Sequence, residues 1–225
     1  MSMQTTKKFS IAAVAICGSA LASFAQPAVA GPVNPLSYDM LNGTTGSYNY
    51  WDESYSGAGC VTCDAAPLSG GLGDLTDGII ATDNWFVTEA PPGNGPYVGW
   101  TFDPTITFHF TPLTAIDSIS IYYDDANGAG GVSTPASFII NGTNYAVVDA
   151  PGSAPNVFTV SGLGFLGDTF TVAAVRNNSW VFLSEVSFAS NGAAAPEPAT
   201  WALMLGGFGL TGAAMRRRAA KVRFA

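Results

Sequence analysis

The chain is 225 residues long, 48% hydrophobic and only 11% charged, with 26 glycines; that composition excludes a disordered chain and suits one domain of strands and turns with accessory segments. The net charge of −8 hides an asymmetry: seven of the eight bases lie at the two ends (Lys7, Lys8, Arg216, Arg217, Arg218, Lys221 and Arg223), and residues 31–195 hold one base, Arg176, against fifteen acids. One arginine cannot supply the counterion release on which nucleic-acid affinity rests, so nucleic acid is excluded as the principal partner, whereas an acidic surface suits solubility outside the cell and divalent cations.

The N-terminus carries Lys7 and Lys8, then an apolar run over residues 11–24, then Ala28-Val29-Ala30. These are the three parts of a secretory signal peptide over residues 1–30, with small residues where a peptidase needs them and the cut after Ala30. The apolar run is short for a membrane span. Residues 31–191 then form the expected folded domain. Near its start, Tyr48, Tyr50, Trp51 and Tyr55 cluster in a polar, glycine-containing segment. Two readings stand: exposed rings that stack on sugar faces, with Trp51 and Tyr50 as the ligand-binding candidates, or packing of the N-terminal segment onto the fold.

Cys17 leaves with the signal peptide, so the mature chain keeps Cys60 and Cys63. Zinc needs two more ligands, and His109 is the only imidazole; a thioredoxin-like role needs a βαβ unit that no periodicity suggests. A small structural disulfide between Cys60 and Cys63 is expected in an oxidising compartment. The acidic pairs Asp52-Glu53 and Asp124-Asp125 sit beside glycine-rich turns, where adjacent acids are solvated or bind cations rather than cleave glycosidic bonds.

Alternation of period two dominates the following stretch. Ile106, Phe108 and Phe110 alternate with Thr105, Thr107, His109 and Thr111, which turns His109 to solvent; Ile119, Ile121 and Tyr123 alternate with Ser118, Ser120 and Tyr122. Asn141-Gly142 between residues 138–140 and 145–148 is a hairpin signal, because Asn-Gly accepts positive φ cheaply. Further strands are expected at residues 157–160, 169–175 and 180–188. Many short strands with no amphipathic helix predict an all-β, antiparallel β-sandwich.

After a linker over residues 192–198 come Pro196-Glu197-Pro198, an uncharged stretch over residues 199–215, then Arg216-Arg217-Arg218 opening a basic tail over residues 216–225. At ~1.5 Å rise per residue the uncharged stretch is long enough for a short transmembrane helix, and the arginines place the tail in the cytoplasm and the folded domain outside. Pro196-Glu197-Pro198-Ala199-Thr200-Trp201-Ala202-Leu203-Met204, followed by Gly207-Phe208-Gly209 and the arginines, resembles a PEP-CTERM sorting signal. That resemblance implies an exosortase as processing partner, a membrane passage before processing, and a final place in the envelope, at the cell surface or outside the cell of a bacterium that makes exopolysaccharide.

Leu75-Thr76-Asp77-Gly78, Trp85, Val98-Gly99-Trp100-Thr101-Phe102, the run from Ala115 to Tyr122 and the run from Trp180 to Phe188 together resemble the discoidin-like, galactose-binding-type jelly rolls. The resemblance implies a jelly-roll sandwich and a structural Ca²⁺ joining its start to its final strand. By it, Asp77 and Glu185 would give side-chain oxygens, with Asp74, Ile79 and Ser184 as carbonyl donors and Thr88 as a further ligand; plain solvated carboxylates are the other reading of the same acids. Taken together, the expectation is an exported, non-catalytic envelope or extracellular-matrix protein with a carbohydrate-binding sandwich, its partner an exopolysaccharide or other glycan. A matrix component without a discrete ligand is the first alternative, and a carbohydrate-active enzyme the second.

Overall fold

The computed structural model describes residues 31–90, 95–191, 204 and 206–212. Within them the chain forms β1 (Gly31–Val33), β2 (Ser37–Leu41), β3 (Ala58–Gly59), β4 (Pro67–Gly71), a short helix α1 (Trp85–Thr88), β5 (Val98–Trp100), β6 (Thr105–Ile116), β7 (Ser118–Tyr123), β8 (Ser137–Ile140), β9 (Thr143–Ala146), β10 (Asn156–Val160), β11 (Phe165–Val175) and β12 (Val181–Ser190). The expected signal peptide and linker, and the sorting residues Pro196, Glu197, Pro198, Arg216, Arg217 and Arg218, lie outside the described residues. So does most of the expected membrane helix, of which Met204 and residues 206–212 are helical. Among the described residues no helix is long and apolar enough to cross a membrane.

The strands build two antiparallel sheets. One has the order β1-β12-β7-β10 with β5 also paired to β12, and the other β3-β4-β2-β6-β11-β8-β9. The chain crosses between sheets at β6 to β7 and again at β10, β11 and β12, so sequential strands face one another across the core. This is jelly-roll winding, and it buries the apolar face of every central strand. Ile106, Phe108 and Phe110 of β6 meet Ile119, Ile121 and Tyr123 of β7 in that core, with Phe170, Val172 and Ala174 of β11. Phe188 of β12 stacks edge-on against three phenylalanines of the opposite sheet, Phe108 at 4.9 Å, Phe110 at 5.1 Å and Phe170 at 5.4 Å. Each such buried ring contributes about 1.5–3 kcal/mol from the area removed from water.

The hairpin of β8 and β9 turns on Asn141 and Gly142 at φ 46° and 80°, the positive pair a tight hairpin with right-twisted strands demands. His109 turns outward as its alternation requires, and its Nε2 lies 2.8 Å from Oδ2 of Asp39 on the neighbouring strand. Strand β6 runs five residues past the expected Thr111. Leu113 takes φ 62°, and the pairing with β11 shifts register between Gly167 and Thr169, so a bulge absorbs Pro112 and the ladder resumes to Ile116. A second bulge shifts the pairing of β12 with β7 between Leu183 and Glu185. It breaks the period-two pattern at that point, with consequences for Glu185.

Candidate functional site

The segment between β2 and β4 carries the candidate site, and buried polar groups hold it in shape. Asn42 is fully buried; its Oδ1 accepts from the N–H of Gly43 at 2.8 Å and of Asp52 at 2.9 Å, and its Nδ2 donates to the carbonyls of Cys60 (3.2 Å) and Val61 (3.0 Å). One side chain thus ties the aromatic stretch to the loop that the Cys60–Cys63 disulfide closes, the disulfide bridging Cα atoms 5.4 Å apart. Immediately after that loop comes Asp64. Its Oδ1 accepts from the Trp51 indole at 2.7 Å and from both the backbone N–H and the hydroxyl of Thr45 at 2.8 Å, and these bonds hold its carboxyl below the ordinary aspartate range. Trp51, half-buried, is therefore held with its ring oriented rather than free to rotate.

Asp52 faces the opposite way. It is fully buried, accepts from the Tyr38 hydroxyl and, at 3.0 Å, from the backbone N–H of Asp74, and burial raises its pKa. The expectation of solvated acids fails here and at Asp124 and Asp125, which are 1% and 2% exposed. Asp124 receives the backbone N–H of Trp85 at 3.0 Å and the Asn84 amide at 2.7 Å, and Asp125 receives the backbone N–H of Asn127 at 2.9 Å, so Asp52, Asp124 and Asp125 satisfy loop donors that would otherwise lack partners.

Trp51, Glu53, Ser54, Asp74 and Gly95 line a cleft of about 280 Å³. The Ser54 hydroxyl donates to Asp74, whose carboxyl is pushed up to about 7 by burial and then by the charge of Asp52. Near neutral pH that carboxyl accepts a hydrogen bond in one protonation state and donates in the other. An aromatic face beside a hydroxyl and two carboxyls can hold a ring that has a C–H face and a polar rim.

Tyr50 corrects the expectation of an exposed aromatic: it is 2% exposed and packs edge-on against Phe182 at 4.7 Å and Trp180 at 5.2 Å. The packing alternative applies to Tyr50, while its neighbour Trp51 reaches the surface. Together with Tyr97, Ala126 and Val132, Tyr50 and Phe182 form a second core under the loops, against which Tyr48, Trp85 and Trp180 pack.

The loop after β4 closes on β12, although no local signal requires it. The N–H of Gly78 donates to Oε2 of Glu185 at 2.9 Å, and the N–H of Val186 to the Leu75 carbonyl at 2.8 Å. Glu185 is consequently 6% exposed rather than a solvated strand residue, and burial, with the charge of Asp77, lifts its carboxyl to about 7. Asp77 accepts the N–H of Ile79 at 2.8 Å, and the Ser184 hydroxyl accepts the N–H of Ala81 at 3.3 Å. Asp74 turns its carboxylate to Ser54, and Thr88 donates its hydroxyl to Asn84 within α1. Among the described residues no three His, Cys, Asp or Glu side chains converge as a metal centre. Asp64 and Trp85 were not singled out as site residues from sequence. Asp64 directly follows Cys63, a local hint, whereas nothing near Trp85 in sequence marks its position.

Residues 194–218 match the PEP-CTERM protein-sorting motif, which marks an exported, exosortase-sorted protein of the cell envelope or surface. No curated protein matches the chain. Among solved structures, a truncated AlyQ with CBM32 and alginate lyase domains is 12% identical with a TM-score of 0.37, covering 72% of this chain and 33% of that one. The family 32 CBM from C. perfringens NanJ in complex with galactose is 12% identical with a TM-score of 0.29, covering 43% and 80% respectively. A pectin binding carbohydrate binding module is 13% identical with a TM-score of 0.30, covering 44% and 73%. The alignments span 23% of SpGH29 and 33% of AlyQ, the first two structures found.

Proposed function

We propose that this protein is a non-catalytic glycan-binding protein of the envelope or extracellular matrix, presented outside the membrane by exosortase sorting, with the Trp51 cleft as its binding site. The observation that carries this is Trp51 itself: a half-exposed indole, fixed by Asp64 at 2.7 Å, at the rim of a cleft that also offers Ser54, Glu53 and Asp74. A fixed ring loses little entropy when a sugar stacks on it, and carboxyls and hydroxyls are the partners that sugar hydroxyls need. A shallow cleft with one platform implies weak binding to each unit, strengthened by many units on one polysaccharide.

A structural Ca²⁺ belongs to the same proposal as a support for the 75–79 loop. Asp77 and Glu185 each commit one oxygen to a backbone N–H, which leaves one oxygen apiece for the ion, and backbone carbonyls would complete the six to eight that calcium takes. What supports it is that the loop closes on Glu185 through the Gly78 N–H, near enough for the charge of Asp77 to raise the Glu185 carboxyl.

Binding to a polysaccharide array tests the proposal. Wild-type protein retains binding to at least one glycan, and Trp51→Ala lowers affinity about 3- to 10-fold while the unfolding midpoint stays near wild type. Equal retention of Trp51→Ala on every glycan would place binding elsewhere, and released reducing sugar would make the protein an enzyme.

A further inference from the structure

The two longest strands of the larger sheet change character toward one end of the sandwich. Outward positions of β6 carry Thr105, Thr107 and His109, and the outward residues of β11 beside them are Thr169 and Thr171. Past the bulge the exposed residues are Pro112, Leu113 and Ala115 of β6, and Leu166 of β11, which pairs with Ala115. Leu113 is 76% exposed and Leu166 62%. Leu113 also sits at φ 62°, where glycine or asparagine is favoured, so this leucine costs the fold and buries little in return. The chain leaves the domain at this same end. Just past β6 the N–H of Asp117 donates to the Ala189 carbonyl at 2.8 Å, and Ser190, the last residue of β12, pairs with Gly31. The sorting motif begins at residue 194 and its uncharged stretch at Ala199. Residues 191–198 therefore join Ser190 to that stretch, and fully extended they reach about 30 Å at most. At the other end of β12, about 30 Å away by strand length, Trp180 and Phe182 hold Tyr50 and with it the Trp51 cleft.

A tail inserted in a bilayer thus keeps the leucine end within a short tether of the lipid surface. Exposed leucine side chains have no partner on the domain itself, and the boundary between headgroups and acyl chains supplies one. Charge says which lipid. The acids beside the leucines in sequence are Asp117 and the exposed Asp168, while Arg176, the only base of residues 31–195, lies past the far end of β11 on Asp103 at 2.9 Å. An anionic headgroup would meet carboxylates here and no cation. We propose that the Leu113–Leu166 end of the sandwich docks on a zwitterionic lipid surface, that of the membrane holding the chain's own sorting tail. Two leucines bury far less apolar surface than the single acyl chain that gives only marginal membrane binding, so the contact depends on the tether and its high local concentration. Docking on this end points the Trp51 cleft away from the membrane. The inference rests on the sorting motif and stands whether or not that cleft takes a glycan.

Fluorescence depth measurement on the full chain in phosphatidylcholine vesicles decides it. In a Cys17→Ser background the Cys60–Cys63 bridge leaves an introduced thiol as the free one, ready for an environment-sensitive dye. One dye goes on Ala115→Cys, between the two leucines. A second, on Val148→Cys, reports the opposite end, where Ala146, Ser137 and Val175 pair in a row; Val148 is 86% exposed. The Ala115 dye shifts to the blue and is quenched by nitroxides on the lipid acyl chains, and the Val148 dye does neither. Leu113→Asn with Leu166→Ser abolishes that quenching while the unfolding midpoint stays near wild type, asparagine being suited to the positive φ. Phosphatidylglycerol in place of phosphatidylcholine weakens it. An unquenched Ala115 dye in protein that floats with the vesicles overturns the inference, as does quenching that survives the loss of both leucines or is as strong on phosphatidylglycerol. A blue shift without nitroxide quenching, growing with protein per vesicle, assigns the face to a second copy and removes the lipid. A chain that fails to float with the vesicles overturns the tether and the docking together, and leaves the glycan test of Trp51 untouched. The comparison of Ala115 with Val148 stands even where the leucine variant fails to fold.

Discussion

One oxygen of Asp64 holds Trp51. Its Oδ1 takes the indole N–H at 2.7 Å while also taking two bonds from Thr45, so the ring's orientation depends on a carboxylate that is itself exposed. This separates binding from folding at a single position. Asp64→Ala should leave the unfolding midpoint within the small change typical of a surface substitution, yet lower glycan affinity about 2- to 5-fold as Trp51 loses its restraint. Asp64→Asn, which keeps an acceptor, should recover most of the loss. Affinity and thermal unfolding of the same samples give the comparison, and an unchanged affinity in Asp64→Ala would mean that the ring needs no such support.

The disulfide acts on the same ring one step further back. Cys60→Ser with Cys63→Ser opens the loop whose carbonyls hold Asn42 and whose end places Asp64. Because the closed loop is very short, the stability lost should be smaller than the ~2–4 kcal/mol typical of disulfides. The binding loss should resemble that of Asp64→Ala. Denaturant unfolding alongside affinity measures both, and a loss of stability without a loss of affinity would sever the link between the loop and Trp51.

Stability should fall as pH rises from about 4.5 to 7. Asp74, Glu89 and Glu185 each have carboxyls raised to about 7, first by burial, with neighbouring negative charge adding to it. Across that interval the folded state holds protons that the unfolded chain has released, so the slope of unfolding free energy against pH is negative. The midpoint of thermal unfolding should drop by a few degrees between pH 5 and pH 7.5, and Glu185→Gln should flatten part of the drop. Calcium should oppose it. An ion held by Asp77 and Glu185 favours their charged forms and binds only the folded state, so its effect should be larger at pH 7.5 than at pH 5 and absent in Asp77→Ala. Chelator and calcium scans that coincide at pH 7.5 would remove the ion from the account.

Processing should leave a mature species that begins at Gly31 and is trimmed near Pro196-Glu197-Pro198. Intact mass of the protein from its native host reads both ends at once. A secreted species that still carries Trp201 and the terminal arginines would contradict sorting by cleavage.

What the sequence determined alone were features whose physics is local. The Pro-Glu-Pro motif with its apolar stretch and arginines is matched as a sorting motif over residues 194–218, a short linear segment, and the basic, apolar and small residues at the other end carry the expectation of a signal peptide in the same local way. The strands are local too: β7 occupies the six residues its alternation marks, and the β8–β9 turn falls on Asn141-Gly142 because that pair accepts the required φ. Tertiary structure decided which side chains reach solvent. Tyr50 and Trp51 are adjacent and similar in character, yet one is buried against Trp180 and Phe182 and the other stands at a cleft. Glu185 looks exposed by alternation, but a bulge breaks the period and a loop 107 residues earlier covers it. The second core, around Tyr50 and Phe182, assembles residues from separate parts of the chain, because jelly-roll winding brings loops distant in sequence to one end of the sandwich. Periodicity reports which face of a strand is apolar; only the packed chain determines what lies against that face.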